Sequence, residues 1–533
     1  MRTLKRFFYR LAVFVSRTLS SRVWKVLFPR PEALHKDRFA LTHEVSDLAT
    51  DHLPTRSLLL GVNQYSRILH VQATPERREL GNILIEAPTG GGKGLLAVCQ
   101  LLTWGSSVIV FDIKGDLYRQ TAGFPATLGP VYRFDTRGQG HCFDPFHGKE
   151  GEDELFGIAY QLLYNPKEGD GRSFIEKGTK MLMVVFLAGR EKNRKKGKKD
   201  APLMPFVGYM ADLGLNRAAK VIYDISPDLA RRFLDEDYNP DKDYTEKKYL
   251  RDAWESVVAR IFPLLTDRIL RCFNGSDFTA EGIIAGKKPV TVYICVPEED
   301  LEVKTSVIRL VMETIMKQMK RYADDAPGET LAEKGCREVL YLLDEAGTIK
   351  LPSLPTDVAT VRSRGISIWA SFQDNGQIED LYGKKAKAIR NNMDAKVLYR
   401  QNDFETCREI AESLGYRSGF AHSHTMRDGH AASEGLSEQA VYVLTPRDIK
   451  ELDRKQVIVL FSNRKPMWLS RMDWQEHPVI KKRRAIPPPP VNPLPPLEKP
   501  DQSAERATLL NHHAATTGST ADDGLINPGD FEK

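Results

Sequence analysis

The 533-residue sequence is poor in three things: paired cysteines, long apolar runs and any strong bias of charge. Its six cysteines, Cys99, Cys142, Cys272, Cys295, Cys336 and Cys407, are scattered with no C-x-x-C spacing. That argues against a disulfide framework and against a cysteine zinc site, and it points to a reducing, cytoplasmic setting. No stretch approaches the ~20 consecutive apolar residues that cross a bilayer, so no spanning helix is expected. An apolar core followed by a small-residue cleavage site is also missing near the start, which argues against a signal peptide. A net charge of +6 is small for this length, so bulk charge does not speak for nucleic acid. His422, His424 and His430 lie in a Gly/Ser-rich stretch without a carboxylate or cysteine at ligand spacing, and a solvated loop is expected there rather than a metal centre.

What is present begins with a basic segment. Residues 1–30 hold Arg2, Lys5, Arg6, Arg10, Arg17, Arg22, Lys25 and Arg30 and no acid, interleaved with Leu4, Phe8, Leu11, Val15, Leu19, Val23 and Leu27. This spacing predicts a basic amphipathic helix that lies on an anionic membrane surface or on a partner. A lead-in over 31–74 follows, with short strands expected at Leu58–Val62 and Arg67–Val71. The apolar run Ile83-Leu84-Ile85 then enters Glu86-Ala87-Pro88-Thr89-Gly90-Gly91-Gly92-Lys93-Gly94 and continues as Leu95-Leu96-Ala97-Val98. Strand, glycine turn and helix in this order form a phosphate-binding P-loop, in which backbone N–H groups cradle a phosphate and Lys93 meets the β- and γ-oxygens. Two residues depart from G-x-x-x-x-G-K-[ST]. Ala87 replaces the first glycine, and Gly94 replaces the hydroxyl that normally meets Mg²⁺.

Further on, Ser107–Asp112 is a continuous apolar run of the kind buried on both faces of a parallel sheet, and it ends in Asp112-Ile113-Lys114-Gly115-Asp116. Residues 75–147 form the first part of a nucleotide-binding domain. Strand signals fade over 148–264, where an inserted all-α domain is expected, with a Lys/Arg-rich loop at 192–199. Sheet character returns over 265–479, with strands expected at Val290–Val296, Val339–Leu343, Ile366–Phe372, Lys396–Tyr399 and Val457–Phe461. From 480 to 533 the chain is basic, then proline-rich, then Ser/Thr/Asp/Gly-rich, and a disordered tail is expected. The fold class is α/β: a P-loop NTPase with a mostly parallel central sheet and a helical insert.

An NTPase also needs a metal ligand and a residue that orients water. Asp344 and Glu345 close an apolar strand in the Walker B manner, Asp344 to hold Mg²⁺ and Glu345 to act as base. Gln373 ends the neighbouring strand, where an amide would sense the γ-phosphate.

The text after Walker B, Leu343–Leu354, Ala359–Ile366, Ser371-Phe372-Gln373 and Gln377–Gly383, closely resembles type IV secretion coupling proteins, the TraG/TraD-type DNA-transfer ATPases. The likeness extends to Ala87–Gly94, Phe111–Asp116, Gly275–Phe278 and Leu444–Ile449 and covers roughly residues 75–470. It turns Ala87 and Gly94 from objections into marks of the family. It implies a RecA-like, homo-hexameric motor, with a DNA-free monomer as the alternative, that hydrolyses ATP with Mg²⁺ at subunit interfaces. Its expected partners are single-stranded DNA carrying a relaxase, the channel ATPases and inner-membrane subunits of a type IV system. Arg362 stands where the family places an arginine finger, with Arg364 as the fallback. Family members mostly begin with two spanning helices, and none is expected here. The chain is then a soluble or peripherally attached member recruited through residues 1–30, or one that depends on a separate membrane subunit. The basic helix favours attachment at the cytoplasmic face of the inner membrane. Two alternatives remain open, a receptor for secreted protein effectors and a nucleotide-binding scaffold without turnover.

Overall fold

The structure is a computed structural model that describes residues 35–73, 79–149, 151–163, 172–427 and 430–497. The basic segment 1–30 and the chain beyond 497 lie outside the described residues. Two compact units are present, one made of the chain up to Tyr132, Ala280–Glu298 and Met312–Pro490, the other of Arg133–Thr279, Glu299–Val311 and the stretch from Val491.

Along the chain the strands are β1 (Ala49–Thr50), β2 (Leu58–Val62), β3 (Ile68–Val71), β4 (Ile83–Glu86), β5 (Ser107–Ile113), β6 (Val131–Asp135), β7 (Gln139–Gly140) and β8 (Thr291–Val296). They continue as β9 (Val339–Leu343), β10 (Ile366–Phe372), β11 (Ala395–Leu398), β12 (Tyr416–Arg427), β13 (His430–Tyr442), β14 (Gln456–Phe461) and β15 (Met467–Ser470).

In the first unit β11, β4, β10, β9, β5 and β8 lie side by side and run parallel. All residues of β4, β8, β9 and β10 are buried, which is why these segments are apolar without alternation. Beyond β11 the sheet continues as β14, β15, β2, β3 and β1, every pair antiparallel. Here one face is wet: Met467 and Leu469 of β15 point inward and Trp468 and Ser470 outward. The lead-in strands β2 and β3 therefore belong to the main sheet, joined through the Val62–Ser470 pair.

Two stretches differ from expectation. The Gly/Ser-rich segment with His422, His424 and His430 is not a loop. β12 and β13 pair as a long antiparallel ribbon, from Tyr416 opposite Tyr442 to Arg427 opposite His430. Its small residues hide the alternation that marks a half-buried strand, because the two strands form a sheet of their own, joined at its base by a bridge between Lys36 and Arg417.

The described part of the proline-rich end is packed. A helix at Pro478–Arg484 precedes it, with the Arg483 guanidinium 4.2 Å from the Phe124 ring and that of Arg484 3.8 Å from the Trp474 ring. The proline run has no N–H of its own and so needs few acceptors, while its carbonyls take donors from the domain, as where Tyr118 Oη donates to the Pro489 carbonyl at 2.8 Å. Gly123 makes room for it: a Cβ there would stand 2.1 Å from the Ile486 carbonyl oxygen.

The second unit is mainly helical. Its long helix, Arg172–Lys195, buries Met181, Val184, Val185 and Phe186, and Gly178 lets it approach the helix Lys248–Ile261 closely, since a Cβ would meet Val257 Cγ2 at 3.0 Å. Lys192, Arg194 and Lys195 form the last turn of that helix, so half of the expected basic loop is a helix C-terminus, where positive charge opposes the helix dipole. No described helix is long and apolar enough to cross a membrane.

Gly123→Ala should dislodge the proline segment, destabilising the protein by about 1–3 kcal/mol as overpacking does. Limited proteolysis checks this. The variant is expected to be cut between Arg484 and Pro490 where the wild type is protected, and equal protection would refute the contact.

Candidate nucleotide site

The glycine loop is anchored at its start by the strands on both sides. The Glu86 carbonyl accepts the Tyr399 N–H at 2.9 Å and Gln401 Nε2 at 3.0 Å, and the Ala87 N–H donates to Phe372 O at 3.0 Å. The chain then folds back, Gly91 N–H to Pro88 O at 2.8 Å, with Thr89 exposed at the tip. Gly90 and Gly92 adopt left-handed backbone, φ +75° and +105°, which only glycine takes cheaply. Ala87 has no such φ and is fully buried, so alanine suffices where the standard motif has glycine. The helix Lys93–Thr103 starts at once, with no side chain capping it; the Leu95 N–H turns back to the Gly92 carbonyl at 3.0 Å, and the positive end of the helix faces the cleft as a place for an anion.

Opposite the loop, β9 ends at Leu343 and delivers the acid pair. Lys93 Nζ lies 3.4 Å from Glu345 Oε1, the lysine side chain 11% exposed and the glutamate 41%. Glu345 is itself left-handed, φ +58° and ψ +46°. Its N–H is held by Ser371 Oγ at 3.0 Å, and the same hydroxyl donates to Asp344 Oδ1 at 3.2 Å. Removal from water pushes the Asp344 carboxyl up to about 6, against the pull of Lys93. Lys93, Gly90, Gly92, Gly94, Asp344 and Glu345 line one cleft of about 420 Å³.

The Asp112–Asp116 motif forms another wall of that cleft. Asp112 is buried and caps the helix Asp116–Thr121, accepting the Leu117 N–H at 3.1 Å and the Tyr118 N–H at 2.7 Å. Lys114 pairs with Glu298 at 2.6 Å.

Other expected site residues stand elsewhere. Gln373 follows β10, but it lines an adjoining acidic cleft with Asp374, Glu379 and Glu409. Its N–H donates to Gln377 Oε1 at 2.9 Å. Arg362 and Arg364 precede β10 at its opposite end. A seven-residue strand spans about 20 Å, so neither reaches Lys93 of its own chain. Arg362 Nη1 pairs with Asp394 at 2.7 Å, while Arg364 grips Asp324 with two nitrogens, at 2.6 and 2.8 Å.

Two residues were missed by motif reasoning. Ser371 is one; a small hydroxyl in an apolar strand, level with the acid pair, was its signal. Arg471 is the other: a Cβ on Gly92 would lie 2.8 Å from its Nη1, so this guanidinium backs the phosphate loop. It comes from just beyond β15 and carries no sequence signal near the loop.

A family model for type IV secretory system conjugative DNA transfer matches residues 72–489. The chain belongs to that family. Protein VirD4 of Rhizobium radiobacter is 25% identical to it over 418 residues, covering 75% of this chain and 58% of VirD4. Conjugal transfer protein TraG of Escherichia coli is 26% identical over 368 residues, covering 63% and 55%. The chain thus spans a little over half the length of these curated relatives. Among solved structures, the bacterial conjugative coupling protein TrwBΔN70 in complex with sulphate superposes with a TM-score of 0.60 at 15% identity, over 85% of this chain and 98% of that one. TrwB in complex with ADP and Mg²⁺ gives 0.59, also at 15% identity. The fold is that of the coupling proteins, a mostly parallel α/β core with an inserted helical part.

The loop geometry separates two glycines. Gly92→Ala should cost about 1–3 kcal/mol, because alanine is strained at that φ, whereas Gly94→Ser should leave the melting temperature unchanged, since its Cβ meets nothing within 4 Å. Thermal unfolding of the two variants checks the contrast.

Proposed function

We propose that this coupling protein is an ATP-hydrolysing motor that moves relaxase-bound single-stranded DNA into a type IV secretion channel. The observation that carries the reading is the convergence of Lys93, Asp344 and Glu345 on one cleft at the C-terminal edge of parallel strands, the place where such sheets bind ligands. The TrwB complex with ADP and Mg²⁺ supports the nucleotide class.

In the resting cleft Lys93 is engaged by Glu345. Triphosphate oxygens carry more charge than one carboxylate, so on binding they take over Lys93 and release Glu345 to orient the attacking water. Asp344 is the residue to hold Mg²⁺, which when bound neutralises charge on the β- and γ-oxygens. Among the described residues no group of three or more His, Cys, Asp or Glu could hold a metal alone, so phosphate and water oxygens complete its shell.

Arg362 lies too far from its own cleft to act there, which supports a role in trans on the nucleotide of a neighbouring copy. Its lighter pairing favours it over Arg364 as the finger. The family resemblance extends this to a ring of six copies, with the channel ATPases and inner-membrane subunits as partners and residues 1–30 as the contact to the cytoplasmic face of the inner membrane.

Phosphate release by the full chain should rise with single-stranded DNA and fall about a hundredfold or more in Lys93→Ala and Glu345→Gln. No turnover in any oligomeric or DNA-bound state would refute the motor. Arg362→Ala should lose about 10³-fold or more, and mixing it with Lys93→Ala subunits should restore activity that neither has alone. Because Asp344 takes up its proton near pH 6, proton and metal compete below that point. The Mg²⁺ needed for half-maximal ADP binding should therefore rise about tenfold per pH unit on acidification, read by titration between pH 7.5 and 5.

A further inference from the structure

Gly94 stands where a P-loop carries the hydroxyl that meets the metal. Nothing local demands glycine there, since its φ is not left-handed and a Cβ would meet no atom within 4 Å. A hydroxyl is nevertheless present directly behind the acid pair that lines the cleft, and it comes from another strand. Ser371 is fully buried in β10 between Ala370 and Phe372. Its Oγ donates to Asp344 Oδ1 at 3.2 Å and accepts the Glu345 N–H at 3.0 Å. One oxygen thus grips both acids of the Walker B pair. The first bond pins a single carboxylate oxygen of Asp344. The second satisfies a backbone donor and holds Glu345 in its left-handed conformation, from which its side chain reaches within 3.4 Å of Lys93.

We propose that Ser371 is the positioning residue for the metal-facing carboxylate, fixing Asp344 from the neighbouring strand in a cleft whose phosphate loop offers no hydroxyl at residue 94. The inference rests on the cleft being a Mg²⁺–nucleotide site. Outer partners of this kind typically change metal affinity by about 10–100-fold when removed, while a serine that only filled space would alter stability and leave the metal requirement alone.

The test is binding of fluorescent ADP to the full chain, titrated with Mg²⁺, alongside the melting temperature. Ser371→Ala should raise the half-saturating Mg²⁺ concentration about 10–100-fold while Mg²⁺-free ADP binding is kept. Ser371→Thr, which retains the hydroxyl, should restore the wild-type requirement. Adding Gly94→Ser to Ser371→Ala should lower it again, because a hydroxyl returns to the cleft. Should the alanine variant not fold, Ser371→Cys, close in volume and a weak donor, is measured in its place with the same expectation. An unchanged Mg²⁺ requirement in a folded Ser371→Ala or Ser371→Cys protein would overturn the role of Ser371 alone. Wild-type protein that bound no ADP at any Mg²⁺ concentration would overturn the nucleotide site itself, and this inference with it.

Discussion

The register of three parallel strands is the constraint on which the candidate site depends. Ile85 of β4 lies opposite Ser371 of β10, and Leu343 of β9 lies opposite Ala370. One further step along the same ladder brings Asp344 level with Ser371. The glycine loop, the serine and the acid pair therefore leave the sheet at the same height. A slip of one residue in β10 would turn Ser371 to the other face and place Ala370 or Phe372 toward the acids. Burial of the strands on both faces makes that slip costly, so the geometry of the cleft is secured by the core rather than by the loop.

Within that frame the cleft is built from opposing electrostatic demands. Two carboxylates and one lysine share a partly dehydrated space, and burial raises the Asp344 carboxyl although Lys93 pulls it down. Glu345 adopts a backbone conformation that costs a non-glycine residue about 1–2 kcal/mol, compensated by the Ser371 hydrogen bond. Strain and partial dehydration at one place are what a site that must rearrange around a polyanion requires. The helix N-terminus and the lysine supply the complementary positive end. Arg471 behind Gly92 adds a second cation that the loop's own sequence does not contain.

Local chemistry was legible and distant chemistry was not. Ile83–Gly94 could be interpreted because strand, turn, lysine and helix are contiguous, and left-handed backbone at Gly90 and Gly92 demands glycine. Asp344 and Glu345 were legible for the same reason, as polar residues abruptly ending an apolar run. Gln373 looked equivalent by that criterion, yet the structure lines a neighbouring cleft with it, because being at a strand end does not say which way the chain then turns. The ribbon β12–β13 and the packed proline segment escaped because composition reports solvation and flexibility on average. The ribbon depends on pairing between two adjacent segments, and docking of the proline segment depends on partners such as Tyr118 and Phe124, hundreds of residues away.

By itself the sequence determined a parallel α/β core with a helical insert, the phosphate loop and the acid pair. Each of these is enforced by interactions within a few residues or by burial that leaves its mark on hydrophobic pattern. Only the tertiary structure decided that a serine from β10 joins the two acids, that Arg471 backs the loop, and that Arg362 points away from its own cleft. Those relations are set by strand order and register, which arise from packing between segments far apart in the chain and leave no periodic trace in any one of them.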